Sequence, residues 1–244
     1  MIMKDERPLY QLAHEKRLPS RQVLDVVSQF YCYSNYHQYL HIDSEELTSL
    51  VHSAYLCNRD VVSELLSIIS IDELSALFTP GRLETIHGVK HHLRVALIAG
   101  MLNRDASIIK DLILACLLHD SRRLNDKDDI GHGKRAAEFY ASKLSLIGPK
   151  LIKARGYVPT HQAKILEAIA RHDVETQDTH NVLLIALQKA DALDRFRLPK
   201  LKWWPDSQKS SVHAFSTDEL VIGMMMNILI PDSSKVNNLK AELC

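Results

Sequence analysis

From Ser20 to Thr79 the chain carries neither glycine nor proline, and all eight of its glycines lie at Gly81 or beyond. So long a stretch without either turn-former has few tight reversals open to it, and the period-two alternation of half-buried strands is hard to find there. Helices are what remain. Asp43-Ser-Glu-Glu46 and Ser70-Ile-Asp-Glu73 each set a side-chain acceptor three residues ahead of a carboxylate, a pattern that starts helices. Thr48-Ser-Leu50 and Ala54 to Leu66 resemble the helix pair of an ankyrin repeat. One such unit cannot bury its own apolar face and no second copy follows, so an ordinary helical hairpin is the reading adopted.

The change of composition at Pro80-Gly81 marks a boundary, beyond which the helical grammar continues. Leu83 to Met101 has apolar residues at helical spacing, Asp105 caps Ile108 to His119, and Gly131-His132-Gly133 opens Lys134 to Leu146 ahead of a break at Gly148-Pro149. Thr160 caps His161 to His172, Thr179 caps Asn181 to Phe196, and Thr217 to Ile230 is closed by Pro231. Its Met224-Met-Met run suits core filling. The expectation is an all-α protein in three parts: an N-terminal helical segment over 1–80, a helical core over 81–199, and a helical tail over 200–244 that packs on the core.

Thirty basic and thirty acidic side chains cancel. That balance lacks the positive footprint a dedicated DNA or RNA binder needs, though a small phosphate ligand requires only a local patch. The longest apolar run, Leu112 to Leu118, is far short of the roughly 20 residues that cross a bilayer, and Met1 to Tyr10 is charged rather than signal-like, so a cytoplasmic protein is expected. The four cysteines have no C-x-x-C spacing, and neither a disulfide framework nor a thiolate zinc site is indicated.

Thirteen histidines stand out, and several fall in short polar islands on successive helices. His87 and His91 are four apart, so a helix would project both from one face, with Arg94 a turn later. In His119-Asp120 an imidazole and a carboxylate end a run of seven apolar residues, where an unpaired charge costs several kcal/mol. A divalent cation or one of Arg122 and Arg123 would compensate that carboxylate. Asp191 follows another apolar helix, Val182 to Ala190. If these helices pack side by side, His91, His119, Asp120 and Asp191 bring two imidazole nitrogens and two carboxylates together, a mixed set suited to Mn, Fe, Zn, Mg or related ions.

His91, His119-Asp120 and Asp191, in that order and each on a helix, resemble the H…HD…D signature of the HD-domain metal-dependent phosphohydrolase superfamily. His91-His-Leu-Arg94-Val95-Ala96 is similar to its H-x-x-R-V-A opening, and Lys189-Ala-Asp191-Ala-Leu-Asp194-Arg195 to its closing helix. His87-Gly88-Val-Lys-His91, His119-Asp-Ser-Arg-Arg-Leu-Asn-Asp126 and His132-Gly-Lys-Arg-Ala-Ala137 resemble a narrower subset of small HD proteins. The likeness covers about residues 81–199. It implies a helical bundle with an additional N-terminal segment, a divalent metal held by His91, His119, Asp120 and Asp191, and hydrolysis of phosphate monoesters or diesters, often of nucleotides. Metal-bound water has its pKa lowered toward about 7, which lets it attack phosphorus near neutral pH.

The same resemblance gives His132, His172 and, less centrally, His87 a role in holding a second metal or in contacting and protonating the leaving oxygen. The glycines flanking His132 at a helix start also favour an anion there. Arg122 is expected on the phosphate, because a guanidinium takes two of its oxygens at once, while Arg123 and Lys189 are read as ordinary helix-end charges. Asp126 is read as part of a solvated loop, and Trp203-Trp204 as a clasp for the tail. Two other functions stand beside the hydrolase: a non-catalytic helical module that binds a nucleotide or protein, using residues 1–80 as its docking surface, and an effector-type phosphodiesterase acting on a protein-linked phosphoribosyl group.

Overall fold

The computed structural model describes residues 44–127, 129–174, 179–198 and 215–230. The expectations for residues 1–43, for Trp203-Trp204 and for the tail on either side of 215–230 lie outside these residues. Within them the protein is all-α, with no strand. The helices are α1 (Ser44–Ile68), α2 (Ile71–Ser75), α3 (Val89–Leu102), α4 (Ile109–Leu118), α5 (His132–Tyr140), α6 (Leu144–Leu151), α7 (Gln162–Arg171), α8 (Val182–Asp194) and α9 (Thr217–Leu229). None of them is long and apolar enough to cross a membrane.

α4 is the centre of the bundle because its sequence leaves it no polar face: Asp111 and every residue from Leu112 to Leu118 are buried. α3 lies against it, buried from Val89 to Met101, and α7 and α8 close around the pair. Val51, Val62, Leu65 and Leu74, from before Pro80, belong to the same apolar core as Leu97, Leu117 and Leu187 from after it. A backbone clasp reinforces that junction: Ser70 N donates to Leu151 O at 2.8 Å and Lys153 N to Ile68 O at 2.6 Å. Met224, Met225 and Met226 of α9 are buried, as core filling requires.

The helical hairpin expected between Thr48 and Leu66 is instead one continuous helix, α1, because no turn-former interrupts it, and several boundaries differ from the sequence reading for local reasons. α3 starts at Val89 rather than Leu83, because Pro80–Arg82 forms a 3-10 turn and Gly88 packs its backbone directly on the carbonyls of Arg82 and Leu83, where a Cβ would collide. The helix beginning at His132 ends at Tyr140, whose carbonyl accepts from Lys143 N at 2.8 Å, and a new helix then runs through Gly148-Pro149 to Leu151. Thr160 does not cap α7 itself. The buried Asp111 of α4 instead fixes the turn just ahead of α7, accepting from Thr160 N at 3.2 Å, Thr160 Oγ1 at 2.9 Å, His161 N at 2.8 Å and Tyr157 Oη at 2.8 Å. Asn181 caps α8 by accepting from Leu183 N, and Ser216 with Glu219 forms a capping box on α9.

Candidate metal centre

Six side chains converge where the ends of α4 and α7 meet the flanks of α3 and α8 and the start of α5. His119 and Asp120 leave the C-terminal end of α4, and His172 leaves that of α7. A single local device sets three of the imidazoles. Nδ1 of His119 donates to Cys116 O at 2.7 Å, that of His132 to Asp129 O at 2.7 Å, and that of His172 to Ile169 O at 2.8 Å. Each is a bond back to the residue three positions earlier, using carbonyls near a helix end or turn. His91, from the middle of α3, donates Nδ1 instead to Asp194 Oδ2 at 2.7 Å.

All four rings therefore turn Nε2 inward. His91 Nε2 and His119 Nε2 are 3.1 Å apart, and His132 Nε2 and His172 Nε2 are 3.0 Å apart. A neutral imidazole whose Nδ1 carries the proton has only a lone pair at Nε2, so two neutral rings would face lone pair to lone pair unless an electrophile, a cation or a proton, lies between. Asp120 stands between the couples with one oxygen toward each. Its Oδ1 is 2.8 Å from His132 Nε2 and 3.0 Å from His172 Nε2, while Oδ2 is 3.7 Å from His91 Nε2. Asp191 Oδ1 completes the first couple at 3.4 Å from His91 Nε2 and 3.9 Å from His119 Nε2.

Two sets thus have ligand atoms close enough to share an ion: His91 with His119 and Asp191, and His119 with Asp120 and His172. Imidazole nitrogen with carboxylate oxygen fits a divalent cation of the Mn, Fe, Zn or Mg kind, and the engaged Nδ1 atoms supply the outer hydrogen bonds that such ligands need. The surroundings hold both carboxylates ionised. Burial opposes the charge, but His119 and the donors His132 and His172 keep Asp120 well below the usual carboxylate range, and His91 and His119 do the same for Asp191. Burial drives His119 down to about 3, leaving it neutral. Burial acts the same way on His172, yet the Asp120 hydrogen bond and charge outweigh it and raise that ring to about 9.

All four residues expected as metal ligands, and His132 and His172 beside them, are brought together. His87 sits at the rim, with Nδ1 donating to Asp126 Oδ1 at 3.2 Å and Nε2 4.0 Å from Asp120 Oδ2. Burial, with the charge of His91 next to it, pushes His87 down to about 4. Arg122 is not in the cluster. It is exposed, with its guanidinium carbon 4.0 Å from the centre of the Phe139 ring. Arg123, expected as an ordinary helix-end charge, takes the place expected of Arg122, with Nη1 3.4 Å from Asp120 Oδ2 and 3.2 Å from His132 Nε2. The exchange follows from helix geometry, because from the end of α4 Asp120 and Arg123 are one turn apart and Arg122 points away. Lys189 pairs with Glu219 at 2.5 Å.

Sequence reasoning passed over Asp126, which bonds His87 and Arg82, and Asp173, whose Oδ2 is 3.3 Å from His132 Nδ1. Rather than being solvated, this loop is folded by its own side chains: Asn125 Oδ1 accepts from Lys127 N at 2.8 Å, Asp129 Oδ2 accepts from Leu124 N at 2.7 Å, and both Asp129 oxygens accept from Arg135. The open side of the cluster is Asp191, with 23% of its side chain exposed, against 4% or less for His91, His119 and Asp120. No protein-family model, curated protein or solved structure matches the chain.

Proposed function

We propose that this chain is a metal-dependent phosphohydrolase, of phosphodiesterase or nucleotidase type, whose ligands follow the HD pattern. The observation that carries the reading is the pair of imidazole couples, 3.1 and 3.0 Å between Nε2 atoms, arranged on opposite oxygens of the buried Asp120. His91, His119, Asp120 and Asp191 would hold one divalent cation, and His132, His172 and the other oxygen of Asp120 a second. A cation there supplies neutralisation of a phosphoryl oxygen and acidification of a water molecule.

The remaining steps belong to the chain. Asp191 lies at the open side, where a phosphate ester enters. Arg123, a turn from Asp120, presents a planar guanidinium to the phosphate's outer oxygens. His87, with Nδ1 fixed by Asp126, presents Nε2 to the same opening and is placed to accept or hand on a proton. Burial of the histidines on α3 and α4 excludes bulk water from the ligand side, which strengthens each of these charges.

The test is elemental analysis of the purified full-length chain, followed by assay of bis-p-nitrophenyl phosphate, p-nitrophenyl phosphate and a nucleotide set with added Mn, Fe, Zn or Mg and with chelator. The expected result is bound divalent metal, chelator-sensitive turnover of at least one ester, and loss of both in Asp120→Ala. Unchanged metal content and turnover in Asp120→Ala would refute the reading.

A further inference from the structure

Of the four inward imidazoles, three turn Nδ1 to a backbone carbonyl three residues back, His132 with the Asp173 carboxylate a further 3.3 Å away, whereas His91 turns its Nδ1 to a side chain from another helix at 2.7 Å. That side chain, Asp194, is fully buried and lies one turn beyond Asp191 on α8. It is itself held from two sides. Arg94 Nε donates to Asp194 Oδ1 at 2.6 Å and Nη2 to Oδ2 at 3.4 Å, while Arg197 Nη1 lies 3.1 Å from Oδ2. Arg94 is fully buried too, and its Nη1 donates to the carbonyl of Ile230 at 2.7 Å, at the C-terminal end of α9. Hydrogen bonds thus run without a gap from a ring in the metal cluster, through a carboxylate and a guanidinium, to the last turn of a helix that contributes no ligand.

We propose that Asp194 is the positioning residue of the first metal site, and that through Arg94 the docking of α9 is coupled to that site's affinity for a cation. The inference rests on the metal reading above. A carboxylate behind an imidazole fixes the Nδ1–H tautomer, sets the ring's direction and makes Nε2 a better donor to a metal than a carbonyl would. The two guanidiniums keep the carboxylate ionised and tie it down. Net stability does not explain such a group, since a buried ion pair roughly breaks even against apolar packing of the same volume. By linkage, whatever factor α9 docking adds to cation affinity, the cation returns to α9 docking.

The second couple provides the internal control, because His132 and His172 are oriented by carbonyls and share none of this chain of bonds. Co(II) is titrated into metal-free full-length wild type, Asp194→Asn and Arg94→Lys, followed by calorimetry, by its visible absorption and by amide exchange of residues 217–229 with and without the ion. In Asp194→Asn three donors meet an amide that brings two hydrogens of its own, so the first-site affinity falls roughly 10–100-fold. Binding at the second couple changes less than the first. Arg94→Lys keeps the charge but not the fork, and weakens the first site in the same direction. In wild type Co(II) slows exchange at the end of α9, and in both variants that slowing is lost. A general loss of structure would instead weaken both sites together and show in the circular dichroism of the metal-free variant, and that result overturns the proposal. So does wild-type Co(II) affinity with wild-type α9 slowing in either variant. If Asp194→Asn does not fold, Arg94→Lys decides by the same two readouts. Wild type that takes up no Co(II) overturns the metal reading first and this inference with it, whereas Co(II) uptake indifferent to both variants overturns this inference alone.

Discussion

Gly133 is the position at which the smallest perturbation should separate the two halves of the candidate metal centre. It follows His132 on α5, where α5 lies directly on the end of α7. A Cβ at this position would lie 2.5 Å from the carbonyl oxygen of Ile169 and 2.9 Å from His172 Nδ1. Those two atoms are the acceptor and donor of the bond that aims His172. Ordinary Cβ contact begins at 3.4 Å, so the carbonyl has to retreat by 3.4 − 2.5 = 0.9 Å and the ring nitrogen by 3.4 − 2.9 = 0.5 Å. Metal–ligand distances tolerate only about 0.2 Å. In Gly133→Ala the cation proposed for the His132–His172 couple should therefore be lost, while the one proposed for His91, His119 and Asp191, on α3, at the end of α4 and on α8, is kept. Overpacking of this kind costs roughly 1–3 kcal/mol. At about 2–4 °C per kcal/mol for a chain of this size, the metal-free melting temperature should fall by roughly 2–12 °C. Gly81→Ala is the matched control, since a Cβ there meets nothing within 4 Å. Calorimetric melting of the metal-free chains and metal counting by elemental analysis are the assays. Gly133→Ala with the stability and metal stoichiometry of wild type would show that the α5–α7 contact does not position the second couple.

Arg123→Ala should raise KM for a phosphodiester roughly 10–100-fold, as expected for loss of a hydrogen bond to a charged group, whereas Arg122→Ala, on the exposed face over Phe139, should leave it within about twofold. Steady-state kinetics of the two variants side by side checks this, and equal effects would count against the placement of Arg123. Asp111→Ala leaves Tyr157 Oη and the NH groups of Thr160 and His161, in the turn that leads into α7, without their buried acceptor, and should cost roughly 1–3 kcal/mol at pH 7. Burial opposes the Asp111 charge, but hydrogen bonds from Tyr157 and His161 outweigh it and hold its pKa below the ordinary value. Its contribution is therefore present above about pH 4, the unfolded aspartate value, and is lost as pH falls through the lower folded value. Urea melts of wild type and Asp111→Ala should differ at pH 7 and converge in acid, and a gap independent of pH would contradict this.

The helical class was legible because it rests on features that act locally: the absence of turn-formers before Pro80, helix starts such as Ser70-Ile-Asp-Glu73, and apolar runs that only a central helix can hide. The six residues of the cluster were legible for a related reason. His119-Asp120 ends a run buried throughout in the fold, and a charge in that place demands a partner. Arg122 and Arg123 could not be told apart, since which of two neighbours points inward depends on where α4 stops, and a boundary is the least certain part of a sequence reading. Asp111 and Asp194 were illegible for a different reason. One stabilises a helix start 49 residues away and the other orients a ring 103 residues away, and spacing along the chain carries no trace of either meeting.

One distance pattern supports the proposed cation over the simpler occupant of the gap between two imidazoles, a proton. A proton would explain the 3.1 Å between His91 and His119, for it needs one donor and one acceptor and nothing further. It gives no reason for Asp191 to stand 3.4 and 3.9 Å from the same two nitrogens, or for Asp120 Oδ2 to stand 3.7 Å from one of them. Those separations are long for charge-assisted hydrogen bonds, which run at about 2.7–2.9 Å. They are close to the edges of a coordination polyhedron. Ligands 2.0–2.2 Å from a common ion are roughly 2.8–3.6 Å apart, from octahedral to tetrahedral arrangement. The 3.0 Å of the His132–His172 couple, and the 3.0 and 2.8 Å from those rings to Asp120 Oδ1, fall in the same interval. Two clusters with polyhedral edges, joined through the two oxygens of one carboxylate, give Asp120 a reason to be buried that pairing with Arg123 at 3.4 Å does not. A single guanidinium engages one side of the carboxylate and His132 Nε2, and does not reach the His91–His119 couple on the other side.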